Sequence, residues 1–148
     1  MRAETLPTCL FNLGLVEILC GDHAKAAAHI ADSLRLYRSL NDLEGIAYCL
    51  SAVGAMEASE GEAHSATRLL GSATALLERT GASLETVERS LHERAVEEAR
   101  GSLDEVSFES DWAEGAALSI VEASNHALER CVRMEKSARS LDSPLQPR

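Results

Sequence analysis

The residues of this chain best suited to bind a metal or to transfer protons are its five histidines: His23, His29, His64, His92 and His126. Two imidazoles in an H-x-x-x-H or H-E-x-x-H spacing would share one face of a helix and could ligate zinc. No pair of histidines has that spacing, and His92-Glu93 lacks the second histidine at the required position. The pattern therefore predicts surface histidines and no metal site.

Motifs for nucleophilic or acid–base catalysis are also absent from the sequence. The chain has 24 acidic residues, so pairs of carboxylates will occur by chance on exposed helix faces and do not by themselves indicate acid–base chemistry. There is no G-x-S-x-G elbow, and no serine or cysteine has a recognisable base beside it. The sequence predicts a chain that is not an enzyme and that uses no cofactor.

The cysteines and the hydropathy pattern indicate the cellular compartment in which the protein is expected. Four cysteines occur without regular spacing or a C-x-x-C pair: Cys9, Cys20, Cys49 and Cys131. Free cysteine in apolar helical surroundings behaves as a small hydrophobic residue. The beginning of the sequence contains Glu4 and Pro7 instead of the apolar core of a signal peptide, and no apolar run reaches the roughly 18 residues of a membrane span. We expect reduced thiols, a cytoplasmic location and no membrane contact.

The charge is strongly negative and unevenly distributed. The net charge is −10, and an acidic domain repels phosphate backbones, so we expect no direct contact with nucleic acid. Residues 85–122 carry eleven acids against three arginines, whereas residues 130–148 carry five bases against two acids. This pattern favours a solvated acidic face followed by a loose basic tail. A docking site for a basic partner is the alternative.

An internal repeat is the strongest signal in the chain. Residues 10–14 align with residues 50–54, and Gly21 aligns with Gly61 at the same offset. Apolar residues make up 45% of the chain and aromatic residues only 3%, which suits helices packed through alanine and leucine and disfavours a sheet. Periodicity and turn residues predict an all-α protein with seven helices, at about 6–20, 23–40, 43–60, 63–80, 86–103, 106–114 and 119–136. A disordered tail is expected over 137–148.

The two units resemble tetratricopeptide repeats in a slightly lengthened form. The family's pattern of bulky, small and aliphatic positions matches this sequence in each unit: Leu10, Leu13, Gly14, Gly21, Ala26, Ile30 and Ser33, then Leu50, Val53, Gly54, Gly61, Ala66, Leu70 and Ala73. The bulky aromatics and the terminal proline of the family are missing. The resemblance implies a right-handed α-solenoid of helical hairpins with a C-terminal helical cap.

A second resemblance covers about residues 4–130. Five short segments carry it: Arg68–Ala73, Leu76–Ala82, Glu88-Arg89, Phe108–Gly115 and Leu118–Ala123. They are similar to the end of the helical-repeat region in bacterial signalling ATPases, including MalT-like and LuxR-type transcription regulators. In that family the repeats sense an inducer or a partner. This chain contains no G-x-x-x-x-G-K-[ST] phosphate loop and no basic helix-turn-helix.

The repeat family places ligand-facing residues on the first helix of each unit. The matching positions here form the candidate partner groove: Phe11, Asn12, Leu15, Tyr48, Ser51 and Ala55. Ordinary packing between repeats is the alternative role for these six residues. Phe108 and Trp112 either pin the short helix onto the fifth and seventh helices or form a partly exposed interaction anchor.

Together these features predict three regions. Residues 1–82 form the two repeats, 83–136 a C-terminal helical subdomain, and 137–148 the tail. The expected function is non-catalytic binding of a protein, a peptide or a small inducer, as a segment of a transcriptional regulator or signalling ATPase that lacks the ATPase and DNA-binding modules. A free-standing adaptor and an accessory tail of a nucleotide-cyclase or kinase signalling enzyme remain alternatives. Two repeats are fewer than a stable array usually needs, so either the C-terminal helices or self-association through exposed repeat ends must supply the missing burial.

Overall fold

The computed structural model describes residues 2, 3 and 5–142. Within these residues the chain forms seven α-helices and no strand, which confirms the all-α prediction. The helices are α1 (Thr5–Leu19), α2 (His23–Ser39), α3 (Leu43–Ser59), α4 (Ala63–Thr80), α5 (Thr86–Ser102), α6 (Glu105–Ala117) and α7 (Ile120–Asp142). Their bounds match the expected ones within a few residues, except for α6 and α7.

Four left-handed residues set the length of the first four helices. Gly21, Asn41, Gly61 and Gly81 have φ values of 81°, 54°, 84° and 71°. A helix commonly ends where one residue takes this conformation, which glycine and asparagine adopt with least strain. The four positions are evenly spaced along the chain, so each helix with its turn occupies the same length of sequence. The repeat unit seen in the sequence is therefore a pair of helices.

Side-chain caps begin four of the helices, α2, α3, α6 and α7. The carboxylates of Asp22, Asp42 and Asp104 each accept a hydrogen bond from a backbone N–H in the first turn of the helix. The capping box expected at Ser119 and Glu122 is confirmed: each side chain accepts the backbone N–H of the other, at 3.0 and 3.1 Å. These caps satisfy backbone donors that a helix end leaves without a partner.

Helix α3 is the centre of the fold. Most of its residues are buried, and it packs against α2, α4, α5 and α7. Its aliphatic residues form one core with α1, α2, α4 and α7, to which α7 contributes Ala123, Ala127, Cys131 and Met134. A smaller cluster joins α3 and α4 to Ala95 of α5. The C-terminal helices thus complete the same core as the repeats.

Helices α4 and α6 touch through their backbones. A Cβ atom added at Gly115 would lie 2.0 Å from the carbonyl oxygen of Arg68, and one added at Gly71 would lie 2.5 Å from that of Trp112. The Ser72 hydroxyl donates a hydrogen bond of 2.6 Å to the Gly115 carbonyl. Two of the segments that carry the second resemblance, Arg68–Ala73 and Phe108–Gly115, are therefore in direct contact. Their wide separation in the sequence gave no indication of this contact.

The prediction of a disordered tail over residues 137–148 is partly wrong. Residues 137–142 continue α7 as helix, because no proline or glycine interrupts the sequence before Pro144 and the buried Met134 anchors the preceding turn. The rest of the expected tail, 143–148, lies outside the described residues. Helix α6 is also longer than expected and begins after the Asp104 cap.

A buried ion pair joins α3 to α7. The side chain of Glu57 is 1% exposed and binds the Arg130 guanidinium, with Oε2 3.1 Å from Nη2 and a second contact from Nε to Oε1. Burial raises the pKa of the Glu57 carboxyl, against the opposing effect of Arg130. Arg130 also lies 3.6 Å from Glu62. The pair is the polar contact that fixes α7 across the core.

Substitution of Gly115 by alanine tests the close crossing of α4 and α6. Since the added methyl group would collide with backbone rather than with a flexible side chain, we expect Gly115→Ala to lower the free energy of unfolding by about 1–3 kcal/mol. Gly101→Ala in α5 is the control, because no described atom lies within 4 Å of its added Cβ. It should stabilise by roughly 0.5–1 kcal/mol. Urea denaturation measures both, and equal effects would contradict the crossing.

Removal of Arg130 tests the buried pair. Arg130→Met should lower the free energy of unfolding by about 3–5 kcal/mol, since it leaves a buried carboxylate without a partner. Burial raises the pKa of Glu57 and Arg130 lowers it, so the variant should have a higher Glu57 pKa than the wild type and should lose more stability as pH rises. The defect should therefore be smaller near pH 5 than near pH 7.

Two controls accompany that variant in the same denaturation series. Glu57→Gln combined with Arg130→Met should recover much of the loss, because no charge remains buried. Arg35→Met, which breaks an exposed pair with Asp32 at 3.1 Å, should change stability by less than about 1 kcal/mol. A loss that is the same for Arg35 and Arg130 would contradict the assigned role of the buried pair.

Candidate binding groove

The six residues expected to form the partner groove lie along one groove of the structure. Its floor is α3, and its walls are α1 and α5. Phe11, Asn12 and Leu15 come from α1, whereas Tyr48, Ser51 and Ala55 come from α3. They share this surface because α1 and α3 are equivalent helices of the internal repeat. Four of the six, Phe11, Leu15, Ser51 and Ala55, are buried in the packing between helices, which is the alternative role expected for them.

The groove consists of three adjoining cavities. The first, of about 320 Å³, and the second, of about 10 Å³, share Phe11, Tyr48 and Glu88. The second and the third, of about 150 Å³, share Leu91. The third cavity reaches Leu19 near the end of α1. The two outer cavities therefore have room for a ligand group, whereas the middle one is a constriction.

Carboxylates surround the first cavity. Asp42 and Glu44 lie at the beginning of α3, and Glu85 and Glu88 lie at the beginning of α5. Among the described residues, no lysine or arginine lines this cavity. Helix N-termini themselves favour negative side chains, since their backbone N–H groups carry partial positive charge. The two helix starts thus explain why four acids can meet at one site.

Aromatic rings form the apolar part of the same cavity. The rings of Phe11 and Tyr48 meet edge to face with centroids 5.8 Å apart. The Tyr48 hydroxyl donates a hydrogen bond of 2.7 Å to the carbonyl of Ser83, and the Tyr37 hydroxyl lies 2.9 Å from that of Thr8. Burial, and then nearby carboxylates, raise the pKa of Tyr48, so the hydroxyl stays protonated. The rings are therefore held in fixed positions next to the acids.

A neutral histidine connects the floor of the groove to α4 and α5. Nδ1 of His92 lies 2.8 Å from the Ser51 hydroxyl, and Nε2 lies 3.3 Å from that of Thr74. Because the Thr74 hydroxyl donates to the Leu70 carbonyl, it accepts from His92, and Ser51 donates to Nδ1. Burial lowers the pKa of His92, which agrees with this neutral tautomer. The ring thus links three helices.

The other histidines also join helices. His23 lies 3.1 Å from Glu60, His29 lies 2.5 Å from Glu17, and His64 lies 2.6 Å from the buried Asp111. His126 lies 3.1 Å from the Ser65 hydroxyl. His64 is exposed, in agreement with the prediction of surface histidines, whereas the other four histidines are half-buried. No group of three or more metal-ligating side chains occurs in the part of the chain that the structure describes.

The two candidate anchor residues lie outside the groove. Phe108 is buried, with the Arg100 guanidinium 4.4 Å from its ring centroid, and it stacks on Trp112 at 5.7 Å. The half-buried Trp112 packs against the cluster of Leu70 and Ala95. Helix α6 packs on α4 and α5, and the pair fixes it there. Phe108 is not available as an exposed anchor.

Sequence reasoning did not select seven residues of the first cavity: Thr8, Tyr37, Asp42, Glu44, Gly45, Glu85 and Glu88. Two of the acids, Glu85 and Glu88, belong to the acidic segment that was interpreted mainly as a solvated face. Their placement near the first turn of a helix was the available signal. The sequence contained no signal that α5 packs beside α3, because nothing in the local sequence specifies that contact.

Comparison with protein-family models, with curated proteins and with solved structures gives no match for this chain. Among the described residues, no helix combines the length and the apolar character needed to cross a membrane. The arrangement of the groove is therefore the main evidence on function.

The neutral state of His92 predicts how stability depends on pH. Its folded-state pKa lies below the unfolded value of about 6.5, so the unfolded chain binds the proton first and stability falls as pH decreases below neutrality. His92→Gln keeps a polar side chain but does not titrate, so the slope of unfolding free energy against pH should become flatter, by up to about 1.4 kcal/mol per pH unit. Urea denaturation at several pH values between 8 and 5 measures the slope.

Proton NMR provides the second measurement for this prediction. The imidazole of His92 should titrate below the range of an exposed histidine. The comparison of slopes separates the titration from any general loss of stability in His92→Gln, because that loss is present at every pH. A slope that the substitution leaves unchanged would show that His92 does not take up the proton on unfolding.

Proposed function

We propose that this protein is a non-catalytic binding module whose groove between α1 and α5 accepts a cationic group of a protein or peptide partner, or a small cationic inducer. The observation that carries this proposal is the first cavity, where four carboxylates and fixed aromatic rings surround about 320 Å³ and no described lysine or arginine takes part. The rest of the groove supplies a path for the remainder of the ligand.

The chemistry of the cavity favours a guanidinium or an ammonium group. Carboxylates attract the charge, and a partly buried site strengthens that attraction relative to bulk water. A flat cation that packs on a face of the Tyr48 or the Phe11 ring would gain a cation–π contribution. An anionic ligand would meet repulsion from all four acids. The ligand therefore differs from the phosphates that a nucleotide-binding site would hold.

Catalysis at Ser51 and His92 is disfavoured by their surroundings. The hydroxyl and the imidazole have the contact of a nucleophile and a base, but Ser51 is only 4% exposed and the cavity beside it is about 10 Å³. That volume is close to the space of one water molecule. The partner of Nε2 is a threonine hydroxyl rather than a carboxylate, so this contact would not stabilise an imidazolium.

We further propose that the chain acts as the sensing segment of a bacterial transcription regulator or signalling ATPase. The residues that resemble that family support this assignment, as do the two equivalent hairpins, α1 with α2 and α3 with α4. Under this proposal the hairpins are tetratricopeptide-like repeats of a right-handed solenoid. Occupancy of the groove would then change the arrangement of neighbouring modules by favouring one conformation over another.

An NMR titration with small probes tests the binding site. N-acetyl-arginine amide and N-acetyl-lysine amide should cause saturable shifts at residues around the first cavity, and the neutral N-acetyl-glutamine amide should not. The double substitution Glu85→Gln/Glu88→Gln should weaken binding at least about fivefold, which corresponds to ~1 kcal/mol.

The matched control is Glu97→Gln/Glu109→Gln, which removes the same charge from exposed residues that do not line the first cavity. This control should bind the probes with unchanged affinity at moderate salt. Equal weakening in both double variants would show that only the overall charge matters. Equal binding of the neutral probe would also contradict a cation site.

A further inference from the structure

The face of α1 that lies away from the core carries an exposed apolar stripe. Leu6, Leu13 and Val16 are 50%, 46% and 55% exposed, and Cys9 and Cys20 are exposed as well. These five residues, the α1 stripe, follow one another at alternating spacings of three and four positions. That alternation is the spacing of the seam between two helices of a coiled coil. This spacing pattern therefore indicates a surface that is suited to packing against another helix.

The composition of α1 supports this interpretation. Glu17 is the one charged residue in this helix, although charged residues make up 26% of the chain. Glu17 is already paired with His29. A helix that is apolar around most of its circumference is normally buried around most of it, and the described part of this chain covers only one side of α1.

The internal repeat contains a buried counterpart of this face, on α3. In the alignment of the two units, four members of the stripe correspond to Ile46, Cys49, Val53 and Met56 of α3, which are at most 2% exposed. These four belong to the core that α3 shares with α2 and α7. The equivalent face of the equivalent helix is therefore packed against other helices.

We propose that the α1 stripe pairs with the α1 stripe of a second copy of this chain, so that the protein is a two-fold symmetric dimer. Three large side chains that are about half exposed, together with two exposed cysteines, form an apolar patch on the order of 300–400 Å² per copy. Two such patches and the residues that flank them approach the lower limit of about 1,200 Å² for a specific interface. The self-complementary spacing suits an isologous contact.

The net charge opposes association of two copies and predicts how that association depends on salt. Two chains of net charge −10 repel each other, so they can meet with least repulsion through their uncharged helices. Salt screens the repulsion and leaves the apolar contact in place. Association of two copies through α1 therefore becomes stronger as salt increases, which is opposite to an interface held by ion pairs.

Sedimentation equilibrium of the full chain tests this proposal. The wild type should show a monomer–dimer equilibrium in the micromolar range, and Leu13→Glu/Val16→Glu should raise the dissociation constant at least tenfold. The control Val106→Glu/Val121→Glu adds the same charge at two exposed valines of α6 and α7 and should leave the constant unchanged. Circular dichroism establishes that each variant is folded.

Thiol alkylation gives a second measurement that needs no substitution. Cys9 and Cys20 should react more slowly at concentrations where the dimer forms. Cys49 and Cys131 are internal controls, because burial keeps them inaccessible and raises the pKa of each thiol to about 12. A monomer at all concentrations, or a dimer that is equally sensitive to the control substitutions, would overturn the proposal. So would a dimer that leaves the alkylation of Cys9 and Cys20 unchanged.

Discussion

The close packing of large side chains against glycines of neighbouring helices, most of it around α3, is the constraint on which the other features depend. An added Cβ at Gly54 would lie 2.9 Å from Leu70 of α4, and one at Gly45 would lie 2.3 Å from the Tyr37 ring of α2. Gly14 makes the same kind of contact between α1 and Ile30. Small residues permit these distances, and native packing density then leaves little freedom in how the helices lie. The width of the groove follows, since α1 and α5 are both positioned relative to α3.

Local features of the sequence were sufficient for the helices but not for every contact between them. Turn residues such as Gly21 and Asp22, and the Ser119 capping box, act within a few residues, so helix bounds could be predicted from the sequence. The crossing at Gly71 and Gly115 and the pairing of Glu57 with Arg130 involve residues far apart in the chain. No periodicity identifies such partners. The groove residues of α1 and α3 were found because the repeat relates them, whereas Glu85 and Glu88 lie on a helix outside the repeat.

Buried polar contacts give this core a defined arrangement. The core consists mainly of alanine and aliphatic side chains, which pack in several ways with similar energy. Hydrogen bonds and ion pairs are more selective, because a buried polar group that loses its partner is strongly unfavourable. Ser33, for example, donates a hydrogen bond of 2.7 Å to the Pro7 carbonyl and so fixes α2 on α1. His92 and Glu57 do the same for α5 and α7. The polar groups of the interior therefore specify which helices meet.

Helix α1 takes part in the groove and carries the exposed stripe, and its geometry lets it do both. An α-helix turns by about 100° per residue. Phe11 and Leu15 consequently point roughly a third of a turn or more away from Leu13 and Val16. A second copy on the stripe would therefore lie away from Phe11 and Leu15. The same copy would restrict the motion of α1, which forms one wall of the groove. Because ordering one partner lowers the entropic penalty of ordering the next, association of two chains and binding in the groove would favour each other through this single helix.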